Sequence, residues 1–166
     1  DSFLTGKVTA GEASVEVKKE PKIIGGRPTY HVEGIGKSKG AFNLFFKVND
    51  RFETFIDEEA LIPWLFIRRT HEGDYIMNDD ITFDHYKKIA ISRKTQKPIP
   101  DNVQDIISAF YWARNIDISK AKYGDEFPFK FFLDDSTYTS KIVYLGKEEI
   151  KISTGTYKAI KIKPMV

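Results

Sequence analysis

Apolar and polar residues alternate along most of this chain, which is the pattern of β-strands that bury one face. In residues 9–17, for example, Ala13, Val15 and Val17 alternate with acidic and hydroxyl side chains. Clusters of Gly, Pro, Asn and Asp separate the alternating stretches and mark turns. The pattern predicts strands over residues 9–17, 29–38, 51–57, 64–70, 75–77, 81–92, 127–133, 138–145, 149–153 and 157–162.

Two places in this strand pattern need a further decision. Residues 40–50 fit either a short amphipathic helix or a strand, because apolar residues recur at positions 42, 45, 46 and 48. We predict a strand there. Near the end of the chain, a three-residue loop that contains Gly155 would place Ile150 opposite Ile160 in a hairpin, which pairs apolar with apolar.

Residues 101–115 have the apolar spacing of an α-helix instead of the alternation of a strand. The side chain of Asp101 can accept hydrogen bonds from first-turn amides, and Gln104 follows three residues later, as in a capping box. In such a helix Trp112 points away from the face that carries Val103, Ile106, Ile107, Phe110 and Arg114. Because both sides are apolar, we predict that the helix lies against or inside a curved sheet.

These elements predict a mainly β fold of about eight or nine antiparallel strands with one apolar helix near residues 101–115. Sequential hairpins of this kind form a strongly curved sheet or a partly open β-barrel. A length of 166 residues favours a single domain over residues 1–166. An aromatic content of 14% agrees with the β assignment, since aromatic residues are enriched in strands.

Composition narrows the possible partners. A formal net charge of +2 gives no electrostatic reason to expect nucleic acid. The absence of Cys excludes disulfides and thiol chemistry, and no apolar run reaches the roughly 18 residues of a membrane-spanning helix. The chain opens at Asp1 instead of Met, which leads us to expect a processed or trimmed product. Nothing in the composition predicts an oligomeric state.

Several short motifs, distributed over nearly the whole chain, resemble those of a bacterial protein family. They are Ala10-Gly11-Glu12-Ala13, residues 57–63, Glu72-Gly73-Asp74-Tyr75, residues 105–114, and Thr154-Gly155-Thr156-Tyr157 leading to Pro164. Each motif alone is unspecific. Their order and spacing together resemble the exported bacterial proteins that are grouped as domain of unknown function 3108.

The resemblance implies a β-barrel-like fold in an exported protein of the periplasm or outer membrane. It implies no catalytic chemistry, and no functional residues come with it. Family members resembling this chain have a further strand before Ala10 and further strands beyond Pro164. The resemblance therefore leads us to expect that the domain lacks terminal strands of the family's sheet, so that either the chain is a fragment or other residues complete the barrel.

No group of residues has the spacing of a catalytic or metal-binding motif. The three histidines, His31, His71 and His85, lie far apart, so we predict surface or turn positions instead of metal ligands. The acidic pairs at 79–80 and 134–135 lack the spacing of a calcium loop, and we predict turns for them. We expect no cofactor, no metal and no enzymatic activity. Two carboxylates about 5–10 Å apart in a cleft would indicate a glycan- or lipid-cleaving enzyme instead.

The candidate ligand-binding residues are Trp64, Phe66, Phe110, Trp112 and Arg114. The four aromatic side chains could line an apolar pocket, but core packing would explain them equally well. Arg114 lies in the last turn of the predicted helix, where a cation interacts favourably with the helix dipole. It would either form an ion pair with a carboxylate of the sheet or anchor a ligand.

Two functions of different classes follow from these observations. The first is non-enzymatic binding of an apolar or amphipathic envelope ligand, such as a lipid or the acyl chain of a lipoprotein, in a pocket between the helix and the sheet. The second is an envelope scaffold or carbohydrate-binding module that has no internal pocket and uses exposed aromatic residues. A buried Trp64 and Trp112 would count against the second function, and a completely filled interior would count against the first.

Overall fold

Eight antiparallel strands form the larger of two sheets in the computed structural model of the protein, which describes residues 11–39 and 47–165. The strands are β1 (Gly11–Val17), β2 (Lys22–Ile24), β3 (Arg27–Ser38), β4 (Asn49–Asp57), β5 (Pro63–Glu72), β6 (Tyr75–Asp84), β7 (Ile89–Ile91) and β8 (Gln96–Pro98). Their order is β1-β3-β4-β5-β6-β7-β8, and β2 also pairs with β3. Most neighbours in this sheet are therefore neighbours in sequence.

Residues 40–46 of the strand predicted over 40–50 lie outside the described residues. In the described remainder, β4 starts at Asn49. Residues 78–80 do not break the following strand as predicted, because they stay paired with β5 and β6 runs through to Asp84. The predicted long strand over 81–92 is wrong beyond Asp84, where β6 ends. A turn over residues 85–88 separates β6 from the short β7.

Three strands form the second sheet, in the order β11-β10-β9. They are β9 (Glu126–Leu133), β10 (Ser136–Ile152) and β11 (Gly155–Met165). Asp134 and Asp135 form the two-residue turn between β9 and β10, with φ angles of 48° and 57°. Both residues of a tight hairpin turn need positive φ, and Asp tolerates this conformation better than most residues. The predicted β9–β10 hairpin is confirmed.

The last hairpin has a different register from the predicted one. Ile150 pairs with Tyr157, and Ile160 lies opposite Lys147. The turn has two residues, not three, because Ile152 already pairs with Gly155. An irregularity between Tyr144 and Lys147 also shifts the register. Neither feature leaves a signal in the alternation of apolar residues.

The predicted helix is confirmed but shorter, and we name it α1 (Ser108–Arg114). It does not start at Asp101, because Asn102 has a left-handed φ of 56° and the chain then pairs with the second sheet. The amide of Gln104 donates to the carbonyl of Lys130 at 2.9 Å, and the amide of Phe132 donates to the carbonyl of Gln104 at 2.8 Å. This short parallel bridge takes the backbone groups that a helix would have used.

The segment before α1 and the start of α1 join two clusters of the hydrophobic core. The first cluster contains Phe66, Ile81, Phe83, Ala90, Ile99, Val103 and Phe132, and so connects both sheets. The second contains Val32, Ile56 and Ile107. Ile106 packs against both clusters. A fully buried Ile or Phe contributes roughly 1.5–3 kcal/mol, so residues 103–107 hold the second sheet on the first.

The fold is thus mainly β and antiparallel, with one short helix among the described residues, as predicted. The strands form two sheets, and the described residues do not close them into a barrel. The alternative of a curved sheet is compatible with this arrangement. Within the same residues, no helix has the length and apolar character needed to cross a membrane.

Candidate functional site

An apolar groove of about 470 Å³ lies between α1 and the second sheet, and we call it the helix–sheet groove. One wall is formed by α1 and the chain that follows it, with the side chains of Phe110, Tyr111, Ala113, Arg114, Ile116 and Ile118. The facing wall comes from the second sheet, with Phe127, Ile142, Tyr144, Ile160 and Ile162. Val15 of β1 lies at its margin. Volumes of this size are typical of small-molecule sites.

The strand register explains why the sheet wall is apolar. Ile162 pairs with Tyr144, and side chains two residues apart on a strand share a face. Ile142, Tyr144, Ile160 and Ile162 therefore project from the same face of the second sheet. Ile142 and Tyr144 are buried at the base of the groove, whereas Ile160 on the edge strand is 52% exposed.

The mouth of the helix–sheet groove lies between two strands at the edges of their sheets. Among the described residues, β1 pairs only with β3, and β11 pairs only with β10. Every residue of β1 is exposed, and so is nearly all of β11. The side chains that these two strands send to the groove are accordingly accessible from solvent, as is Phe110, which is 73% exposed.

Arg114 is the charged member of the groove wall. Its guanidinium carbon lies 5.8 Å from the centroid of the Tyr111 ring, a cation–π contact. None of the carboxylates in residues 11–39 and 47–165 forms an ion pair with it. The structural ion pair that the sequence suggested for Arg114 is therefore absent from the described part of the chain.

The structure separates the five candidate ligand-binding residues. Phe110 and Arg114 lie together in the groove. Trp64 and Phe66 are core residues with 6% and 1% of their surface exposed. Trp112, which points to the other side of α1 as expected, packs on Phe129 with ring centroids 5.0 Å apart, and it lines a separate, more polar depression.

Sequence reasoning missed most of the groove wall, including Ile142, Tyr144, Ile160 and Ile162. Their alternation marks them as the apolar face of a hairpin, which is the ordinary signature of core residues. What distinguishes Ile160 and Ile162 is their exposure at a sheet edge. Position in a sheet cannot be read from a local pattern.

A buried carboxylate fixes α1 against the first sheet. Asp105 is fully buried, and one of its oxygens accepts the amides of Ile107 and Ser108, each at 2.8 Å. Its other oxygen accepts the hydroxyl of Thr54 on β4. The hydroxyl of Ser108 accepts the amide of Asp105 at 2.8 Å. Asp105 thus does the capping that the sequence assigned to Asp101. Burial raises its pKa to about 6.

A second buried carboxylate holds one end of the first sheet. Asp57 accepts two hydrogen bonds from Arg27, at 2.8 and 3.0 Å, and one from Trp64 Nε1 at 2.9 Å. The amides of Glu59 and Ala60 also donate to it at 2.9 Å. The Arg27 guanidinium holds the pKa of Asp57 well below its usual range. This cluster explains Trp64 as a structural residue, since its ring nitrogen needs a buried acceptor.

Residues 3–166 match the sequence family described as "Protein of unknown function (DUF3108)". The match covers nearly the whole chain and agrees with the resemblance of the short motifs. The chain belongs to the DUF3108 family. No curated protein and no solved structure matches the chain.

Titratable residues elsewhere in this DUF3108 protein do not form a metal site in the described part of the chain. His31 Nε2 lies 2.6 Å from Glu53, and His85 Nε2 lies 2.7 Å from the carbonyl of Pro63. Burial lowers the pKa of His85. The acidic pairs at 79–80 and 134–135 approach each other, and burial, followed by the charge of Asp135, raises the pKa of Asp79.

Proposed function

We propose that this DUF3108 protein binds the apolar part of a small amphipathic ligand, such as a lipid or the acyl chain of a lipoprotein, in the helix–sheet groove. The observation that carries the proposal is the exposure of large apolar side chains around an apolar cavity. Phe110, Ile160 and Ile162 are 73%, 52% and 42% exposed and face the same groove. Contiguous exposed apolar surface of this kind marks interaction sites in soluble proteins.

The binding proposal needs no catalytic group, and the groove offers none. Among the residues that the structure describes, its walls contain no carboxylate, histidine or hydroxyl side chain other than the phenols of Tyr111 and Tyr144. An apolar ligand would gain roughly 25 cal/mol for each Å² of apolar surface that it removes from water. The free groove already has this apolar surface in place, so little rearrangement is needed.

The alternative of a carbohydrate-binding module or scaffold has less support. Exposed tryptophan rings would favour sugar binding of that kind. Trp64 is buried and donates to Asp57, and Trp112 is half-buried on Phe129. The most exposed aromatic residues besides Phe110 are Tyr86 and Tyr123, and neither lies in the groove.

An uncharged fluorescent probe tests the binding proposal directly. We expect N-phenyl-1-naphthylamine to bind the protein with increased fluorescence. Ile160→Glu should weaken this binding at least tenfold, because a carboxylate would then lie in the apolar wall. Ile152→Glu is the matched control: Ile152 is equally exposed, at 52%, on the opposite face of the same hairpin. Equal effects of the two substitutions, or no binding by the wild type, would refute the proposal.

We also propose that the protein acts in the periplasm or at the outer membrane of a bacterium. The resemblance of its motifs to exported bacterial proteins supports this location. Fractionation of the cells that produce the protein, followed by immunodetection, tests it. Recovery of the mature protein with the cytoplasm would contradict the proposed location without affecting the binding proposal.

A further inference from the structure

We propose that the ligand of the helix–sheet groove is a single-chain anionic amphiphile, with its carboxylate head group bound by Arg114 and its chain along the isoleucine wall. This inference rests on the proposed function and specifies the chemical class of the ligand. Three observations support it: a guanidinium in the wall that has no ion-pair partner among the described residues, the positive charge on the same face of the second sheet, and the size of the groove.

Arg114 has an unusual environment for an arginine in this protein. The arginines of the first sheet, Arg27, Arg51, Arg68 and Arg69, each form an ion pair with Asp or Glu. Arg114 faces apolar side chains, and its contact among the described residues is with the Tyr111 ring. That contact is with the ring and takes up none of the N–H donors of the guanidinium in a hydrogen bond among the described residues. Its planar N–H donors stay available, and they match a carboxylate with two parallel hydrogen bonds.

The face that forms the groove wall becomes basic towards the tip of the last hairpin. From Ile160 towards the tip, three pairs of residues lie on this face: Lys147 opposite Ile160, Glu149 opposite Lys158, and Lys151 opposite Thr156. Three lysines therefore accompany one glutamate, and within the described residues none of the four forms an ion pair. Their summed charge attracts an anion to the mouth of the groove.

The size of the groove suits one acyl chain. A volume of about 470 Å³ holds roughly 15 groups of the size of a water molecule, at about 30 Å³ each. A methylene group is of similar size, so one chain of medium length fills the groove. Two chains of that length need about twice this volume.

Displacement of the uncharged probe by four amphiphiles with the same twelve-carbon chain tests the inference. They are dodecanoate, dodecyl phosphate, 1-dodecanol and dodecyltrimethylammonium, all used below their micellar concentrations. We expect dodecanoate to bind the wild type at least fivefold more tightly than dodecanol, and the cationic amphiphile to bind most weakly. Tighter binding of the phosphate than of the carboxylate would overturn the assignment of the head group.

Arg114→Gln should remove the preference for dodecanoate while changing the affinity for dodecanol less than twofold. Arg93→Gln is the matched control, because it removes the same charge from an exposed loop outside the groove. If Arg114→Gln and Arg93→Gln have the same effect, the inference is wrong, whereas the proposed function stands as long as the uncharged probe and dodecanol bind.

A second copy of the chain is the competing occupant of the groove. Size-exclusion chromatography with light scattering distinguishes it. A wild-type dimer that Ile160→Glu converts to a monomer, together with no displacement by dodecanoate, would assign the groove to self-association and overturn the inference. A wild-type monomer that binds dodecanoate supports it.

Discussion

Two buried aspartates show how the surroundings of a carboxyl group determine its pKa. Asp57 and Asp105 are both almost fully buried. Asp57 has a guanidinium beside it, which lowers its pKa, whereas Asp105 has only neutral donors, and burial raises its pKa to about 6. The two residues therefore change the stability with pH in opposite directions. Asp57 contributes stability that is lost as the pH falls below about 4, and Asp105 contributes stability that is lost as the pH rises from about 4 through 6.

The first prediction concerns the charge of Asp105. Above its folded pKa, the protein keeps a buried carboxylate without a cationic partner, which costs stability on the order of 3 kcal/mol between pH 4 and 7, given the rise from 3.8 to about 6. Asp105→Asn removes this dependence. We expect the variant to gain stability relative to the wild type as the pH rises over that range, in urea denaturation followed by tryptophan fluorescence.

Asp105→Ala is the control for the hydrogen bonds of the same side chain. It leaves the amides of Ile107 and Ser108 without their acceptor, so its free energy of unfolding should lie about 1–3 kcal/mol below that of Asp105→Asn at both ends of the pH range. Parallel stability curves for the wild type and Asp105→Asn from pH 4 to 7 would contradict the raised pKa.

The second prediction concerns the partners of Arg27. Asp57→Asn should lower the free energy of unfolding at pH 7 by about 2–4 kcal/mol, because the amide cannot accept both guanidinium bonds and leaves a partly buried cation with only the exposed Glu59 as its carboxylate partner. The other carboxylate that pairs with Arg27 belongs to Glu59, whose side chain is 81% exposed. Glu59→Gln should therefore change the free energy of unfolding by less than about 0.5 kcal/mol. Similar losses in the two variants would show that Asp57 is not the main partner.

At the scale of elements, local pattern predicted the kind of structure but not all of its limits. Alternation identified β5, β9 and the first part of β10, and helical spacing identified α1. The predicted break between residues 145 and 149 is wrong, because β10 continues to Ile152. The start of α1 could not be predicted, because Gln104 uses its backbone to pair with Phe131, a contact distant in sequence. The position of a cap depends on which backbone groups tertiary contacts have already taken.

Of the residues that line the candidate site, the sequence predicted only those on one face of α1. Phe110 and Arg114 were identified because they share the apolar face of α1, and they do lie together. Trp64 satisfies the same aromatic criterion but is held in the core by Asp57. The sheet wall was missed because an exposed edge isoleucine and a core isoleucine have the same alternation in sequence.

The third prediction concerns the irregularity in β10. Gly146 has a φ of 103°, a conformation that residues with a Cβ avoid, at the point where the register of β10 and β11 shifts. Gly146→Ala should therefore lower the free energy of unfolding by about 1–3 kcal/mol, measured by urea denaturation. The strain is in the backbone, because an added Cβ would have open space there.

Gly36 provides the control for that substitution. A Cβ at Gly36 also meets open space, and no positive φ constrains this position. Gly36→Ala should leave stability unchanged or raise it by a few tenths of a kcal/mol, since it reduces the entropy of the unfolded chain. Equal losses at both glycines would show that the conformation of Gly146 is not under strain.

At the scale of the whole molecule, central and edge strands differ in how well their backbone groups are covered. β4 and β5 have paired neighbours on both sides, whereas β1 and β11 are edge strands among the described residues. The fourth prediction is that amide hydrogens of β4 and β5 exchange at least about a thousandfold more slowly than those of β11, measured by mass spectrometry. Uniform exchange would indicate that the edges are covered in solution.

The bridge between Gln104 and Phe131 also sets the order in which the molecule can assemble. Most strand pairs join neighbours in sequence through tight turns, which close on a timescale of microseconds. The bridge joins segments that are far apart in sequence, so its loop closure is slower and more costly in entropy. Each sheet can therefore form before the two meet. We infer that docking of residues 103–107 is a late step in folding, and that the helix–sheet groove, where we propose that a ligand binds, is complete only after this step.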